Sequence, residues 1–250
     1  MGSLLNARGS IKAKPFAGDE VRMILDMRWP TPPLVGPWHE LAEDVADAFR
    51  GVLESDGSFA SAACPPGEIG AFRVHPLLFW PDWMWVDALI EETGAASKVI
   101  SFLYGPHGPH KLDGTSRIFH DVNDLISIRI EKAEVVCDYL RVFCSAVRME
   151  DKPFFIIESP GRLQQLIYPF DLPESAVPLA RPLEAVRQRD GWKIHALVLF
   201  GATLFEATFL ISTYGLVDMI DDKLLTDGLP DHPIRFDGIF YRQTGAGATQ

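Results

Sequence analysis

Residues 182–222 read PLEAVRQRDGWKIHALVLFGATLFEATFLISTYGLVDMIDD, and this stretch decides the fold. Trp192, Ile194, Ala196, Val198 and Phe200 alternate with Lys193, His195, Leu197 and Leu199. Phe205, Ala207, Phe209 and Ile211 alternate in the same way with Leu204, Glu206, Thr208 and Leu210. A period of two in apolar and β-branched residues specifies strands, because successive side chains point to opposite faces. The interruptions carry turn chemistry. Asp190-Gly191 is a hairpin signal, and Gly201 and Gly215 can take the positive φ that the next two turns demand. The segment predicts a four-stranded antiparallel meander.

Turn placement then predicts neighbours. A two-residue loop at Asp190-Gly191 sets Val186 across from His195 and Glu184 across from Leu197. A loop at Gly201-Ala202 sets His195 across from Thr208 and Leu197 across from Glu206. His195 would have Glu184 and Glu206 as diagonal neighbours, roughly 7–8 Å away at the backbone. A carboxylate beside an imidazole raises its pKa and fixes its tautomer, as general acid–base catalysis requires. His195, Glu206 and Glu184 are therefore the candidate catalytic group. The competing reading is a sheet face that is simply half wet.

Outward from the meander, Ala133, Val136, Cys137, Leu140, Phe143, Cys144 and Val147 recur at helical spacing and predict a long amphipathic helix over 132–149. A strand over 154–158 follows, and Ser159-Pro160 reads as the cap and first residue of a short helix ending at Ile167. Upstream, Pro30, Pro32, Pro33 and Pro37 make an extended lead-in, and Leu41, Val45, Ala48, Phe49 and Val52 predict a helix over 38–53. Residues 55–70 read as loop. A second β region has strands at 72–79, 83–91 and 98–104, then loop over 105–114 and a short strand at 127–130. Residues 1–18, with Arg8, Lys12 and Lys14, and 245–250 read as disordered arms around a single α+β domain over 19–244. That domain has a subdivision into 19–126 and 127–244. The fold class is α+β, a curved antiparallel meander against a long helix. In element order alone it resembles the cone-shaped folds of the nuclear-transport-factor-2-like kind, which host enzymes and binding modules alike.

Composition narrows the function classes. A formal net charge of -11 argues against duplex DNA as partner, since such binders neutralise phosphates with Lys and Arg. Cys64, Cys137 and Cys144 are odd in number and widely spaced, which suits buried thiols in a reducing compartment. Without an apolar run behind the first basic residues, or a stretch long enough to span a bilayer, a cytoplasmic setting is expected.

Two further constellations could carry function. His107 and His110, with His120 and Asp121 nearby, offer ligand types for a divalent metal, although the spacing matches no established zinc signature. Phe79, Trp80, Trp83 and Trp85 crowd four aromatics into seven residues. Exposed, they would be a platform for a partner; buried, a bulky plug at a bend. GxSxG, Walker, HExxH and kinase motifs are missing. The sequence thus favours a non-catalytic domain, free of cofactors, that binds a protein partner or a small apolar ligand and can form a homo-oligomer. The alternative is a small acid–base enzyme, an isomerase, dehydratase or hydrolase, built on His195 or on a metal in the histidine loop.

Overall fold

A computed structural model describes residues 28–56, 69–91, 97–168, 170–236 and 240–243. The expected terminal arms and Cys64 lie outside them. The chain divides into two compact units, parting at Leu112–Asp113. Both are built from antiparallel strands and short helices, an α+β construction. Among the described residues no helix is long and apolar enough to cross a membrane.

The described residues of the first unit are 28–32, 36–56, 69–91, 97–112 and 240–243. It opens with β1 (His39–Glu40) and α1 (Glu43–Asp56), followed by β2 (Ile69–Pro76), β3 (Met84–Ile90), β4 (Lys98–Gly105) and β5 (Gly108–Lys111). Strands β1 to β4 pair in sequence, β5 adds to β4, and the short strand Tyr241–Gln243 pairs with β4 on its other end. The helix expected from residue 38 begins later, because His39 and Glu40 pair with Val74 and Arg73 and Leu41 N–H bonds to Phe72 O. The expected loop over 105–114 is partly the β4–β5 hairpin.

One face of this sheet packs against α1. Phe72, Val86, Ala88, Ile100, Phe102 and Tyr104 close on Val45, Phe49 and Leu53 of α1 in one core. The opposite face holds a buried polar hub. The Asp87 carboxylate accepts from Arg73 Nε (2.9 Å), Trp85 Nε1 (2.7 Å) and Ser101 Oγ (2.6 Å). The Arg73 guanidinium also donates to Pro30 O and lies between two indoles, 4.6 Å from the Trp29 ring and 4.7 Å from that of Trp38. The ion pair itself, with Arg73 Nη2 2.8 Å from the Asp87 carboxylate, and the hydrogen bonds around it permit two charges inside an apolar sheet.

The described residues of the second unit are 33–35, 113–168 and 170–236. Its first helix, α2 (Arg117–Ile126), has no counterpart in the sequence reading, and Ser127, expected in a strand, is its left-handed C-cap at φ 52°. Then come α3 (Ala133–Ala146), the hairpin β6 (Arg148–Met149) and β7 (Lys152–Pro153), β8 (Phe155–Ile156) and α4 (Pro160–Ile167). Helix α3 stops three residues before the expected end, because its C-cap Val147 is already extended and Arg148–Met149 enter the β6–β7 hairpin, whose turn holds Glu150 at φ 59°. Ser159 caps α4 as expected, accepting from Arg162 N.

Four longer strands complete the unit: β9 (Glu184–Gln188), β10 (Gly191–Phe200), β11 (Thr203–Ser212) and β12 (Val217–Thr226), with β13 (Ile234–Phe236) beyond. The sheet runs β12-β11-β10, with β8 and β9 sharing the far side of β10. Between β10 and β11 the ladder has the expected register, His195 across from Thr208 and Leu197 across from Glu206. Trp192 and Phe209 share a face, and on that face the Trp192 indole N–H donates to Ile130 O just ahead of α3.

The β9–β10 hairpin differs from expectation by two residues of register: Glu184 stands directly across from His195, and Val186 across from Lys193. The turn residues are Arg189 and Asp190, and Gly191 belongs to the strand. Gly191 serves a different need, since a Cβ there would collide with the Ile211 carbonyl oxygen and the Ser212 Cα of β11. Glycine in a strand marks such close backbone approach. Gly191→Ala is therefore expected to cost about 1–3 kcal/mol, as overpacking against backbone does, and hydrogen exchange of the β10–β11 amides would register it as faster opening.

Candidate functional site

The His195 face of the second sheet is where the sequence placed acid–base chemistry. His195 is half-buried, and its Nδ1 lies 3.2 Å from Thr208 Oγ1. Glu206 is engaged by Arg181 in an ion pair, and Glu184 stands exposed. The ladder thus brings both carboxylates near the imidazole in register, but the side-chain partner His195 takes is the Thr208 hydroxyl. At the β8 end the same face is covered: Phe155, across from Leu199, meets the His232 ring at 5.2 Å, and the Arg162 guanidinium lies 5.5 Å over it.

The histidine loop separates into different elements. His107 is exposed at the tip of the β4–β5 hairpin, while His110 sits on β5 with its ring stacked on Trp83 at 5.4 Å. His120 and Asp121 lie on α2, where Asp121 pairs with Arg117 one turn away. Among the described residues no group of three or more His, Cys, Asp or Glu is placed to hold a metal ion.

The aromatic run is core. Phe79, Trp80, Trp83 and Trp85 are 5%, 0%, 2% and 0% exposed, so none offers a surface as the chain is folded. Trp83 lies over Gly105, where a Cβ would overlap its ring, and Trp85 is committed to Asp87 through its indole N–H. The bend between β2 and β3 is closed by Leu77 N–H to Trp83 O and Trp83 N–H to Trp80 O, with Asp82 left-handed at φ 64°. Burying aromatics of this size is the cheaper outcome, given the area each removes from water.

No family model, curated protein or solved structure matches this chain. The likeness of element order to cone-shaped folds therefore rests on order alone.

Strand β12 is the surface that the sequence did not single out. It pairs with β11 on one side only, and among the described residues no strand pairs with its outer edge. From Asp218 to Leu224 every residue is exposed, including Met219 (48%), Ile220 (53%) and Leu224 (58%), and Leu216 (52%) precedes them. The ladder assigns the faces. Val217, Met219, Asp222 and Leu224 stand across from Ile211, Phe209, Ala207 and Phe205, on the Trp192 side. Asp218, Asp221 and Lys223 stand across from Leu210, Thr208 and Glu206, on the His195 side. Two register shifts leave Ile220 and Leu225 as extra residues. Those bulges broke the alternation that would have announced a strand this long. A run of hydrophobic residues studded with three Asp is nonetheless the composition of a sheet edge held open.

Proposed function

We propose that this protein is a non-catalytic, cytoplasmic binding domain whose second unit takes an extended polypeptide partner along β12. The observation that carries the reading is a ten-residue strand whose outer edge no strand pairs with among the described residues, its apolar side chains left in water. Backbone groups on such an edge template a further strand, and alternate side chains then select it. Of the two occupants the sequence left open, the polypeptide is favoured, because small apolar ligands are held in enclosed concave sites and not along an open edge.

The acid–base reading keeps one supporting fact, the direct register of Glu184 with His195. Against it, the Arg181 pairing occupies Glu206, and Glu184 is too exposed for its charge to be strengthened by a low dielectric.

The test is selection of random peptides on the immobilised full chain, followed by hydrogen exchange with and without each selected peptide. The expected result is protection concentrated in 217–226, lost in Met219→Lys/Leu224→Lys. Both positions are exposed, so the substitutions should leave stability within about 0.5 kcal/mol. Selected peptides that protect other segments, or no selection at all, would refute the proposal.

A further inference from the structure

Resting on that reading, we infer that the segment β12 accepts is a strand of alternating basic and apolar residues, and that the strand's own acidity bars a second copy of this chain. The faces of β12 are chemically unlike. On the Trp192 side, Val217, Met219 and Leu224 continue the apolar surface of Phe205 and Phe209, interrupted by Asp222. On the His195 side, Asp218 and Asp221 project with Lys223, which stands across the ladder from Glu206. Three Asp against one Lys leave the strand net acidic.

An incoming strand places its side chains alternately on these two surfaces. Apolar residues on one and Lys or Arg on the other satisfy both, since opposite charges and apolar pairs across strands are favourable and like charges are not. A second copy fails this rule, because antiparallel self-pairing centred on Asp221, or on Asp222, sets that carboxylate against its own copy. The bulges at Ile220 and Leu225 add twist, which discourages flat, indiscriminate pairing. Selection by repulsion as well as attraction is how an open edge stays specific.

The experiment uses the full chain and three labelled peptides of about ten residues: alternating Lys and Val, alternating Glu and Val, and a Lys block followed by a Val block. Anisotropy gives affinities at low and at moderate salt, and hydrogen exchange locates the bound peptide. The alternating Lys/Val peptide is expected to bind with protection of 217–226. It should bind about tenfold less tightly to Asp218→Asn/Asp221→Asn, the worth of two cross-strand charge pairs, and weaken as salt screens them. Equal binding by the block peptide, or indifference to the two Asn substitutions, reduces the effect to bulk charge and overturns the inference. Glu/Val binding at β12, or a dimer joined through β12 at micromolar concentration, also overturns it while the docking reading stands. If no peptide of any composition, library-selected ones included, protects 217–226, the docking reading itself fails.

Discussion

Asp87→Ala is expected to destabilise the first unit by about 3–5 kcal/mol, the cost of stranding one member of a buried ion pair. The loss has three parts. Arg73, itself buried, keeps only Pro30 O and the two indoles that sandwich it. The Trp85 indole N–H and the Ser101 hydroxyl lose their acceptor inside the sheet, and an unsatisfied buried donor costs about 1–3 kcal/mol. The vacated volume adds a small cavity. Arg73→Met is expected to cost less than Asp87→Ala, since Asp87 would retain both neutral donors. The double variant Arg73→Met/Asp87→Leu should recover part of the loss, because no charge then remains uncompensated. Five of the six tryptophans, Trp29, Trp38, Trp80, Trp83 and Trp85, belong to this unit. Urea unfolding followed by tryptophan fluorescence therefore reads it almost selectively. A shift below about 1 kcal/mol for Asp87→Ala would mean that the hub contributes little, and that the Trp29–Trp38 clamp holds the strands without it.

That hub also marks where sequence reading stopped. Alternation made Arg73, His75, Trp85 and Asp87 visible as strand residues, but pairing between β2 and β3 is long-range, and a single chain carries no sign of which arginine meets which aspartate. The aromatic run left platform and buried plug both open for the same reason. Whether Trp83 is covered depends on Gly105 and His110, more than twenty residues away.

Local chemistry was more legible. The Gly201-Ala202 turn set the β10–β11 register correctly, and Ser159-Pro160 started α4 where it should. Asp190-Gly191 misled by two residues of register because a glycine can be required for positive φ or for the approach of a neighbouring backbone, and the sequence is identical in the two cases. Helix α2 escaped notice although Phe119 and Val122, both buried, stand three apart. That stripe is short, and Gly114 just ahead of it and the nearby histidines give the segment the composition of a loop. For the candidate site the meander's fourth strand was legible, but the bulges at Ile220 and Leu225 scramble the period of two and hide its full length to Thr226 and its open edge.

Stability of the second unit is expected to fall by about 3 kcal/mol as pH drops from 7 to 4, through a single imidazole. His232 is fully buried, and neither ring nitrogen has a well-formed hydrogen bond. Burial is the main reason its pKa is lowered from 6.5 to about 4; the Arg235 and Lys152 charges push the same way, and Asp231 and the Ile234 backbone oppose them. Its surroundings are tightly tied. Arg235 donates to His232 O at 2.7 Å and to Asp231 at 2.5 Å and reaches Asp151, while Lys152 stands 3.8 Å from Asp231. Phe155 meets the ring edge-on. A proton on His232 would thus be desolvated beside an aromatic ring, with two cations nearby.

Between pH 6.5 and about 4 the unfolded chain holds this proton and the folded chain does not, so stability rises with pH there. The contribution is complete above 6.5 and lost progressively toward 4, about 1.4 kcal/mol per pKa unit of difference. In His232→Leu the replacement stays neutral at every pH. Its stability should gain on the parent's as the pH falls from 6.5 to about 4 and show one proton less of pH dependence, read from hydrogen exchange of the β10 and β11 amides at a series of pH values. The His232 Cε1 proton shift followed by NMR should have its midpoint near 4 in the folded protein. A midpoint near 6.5, or an unchanged slope in His232→Leu, would mean that solvent reaches the ring and that the acid sensitivity of this unit comes from its carboxylates.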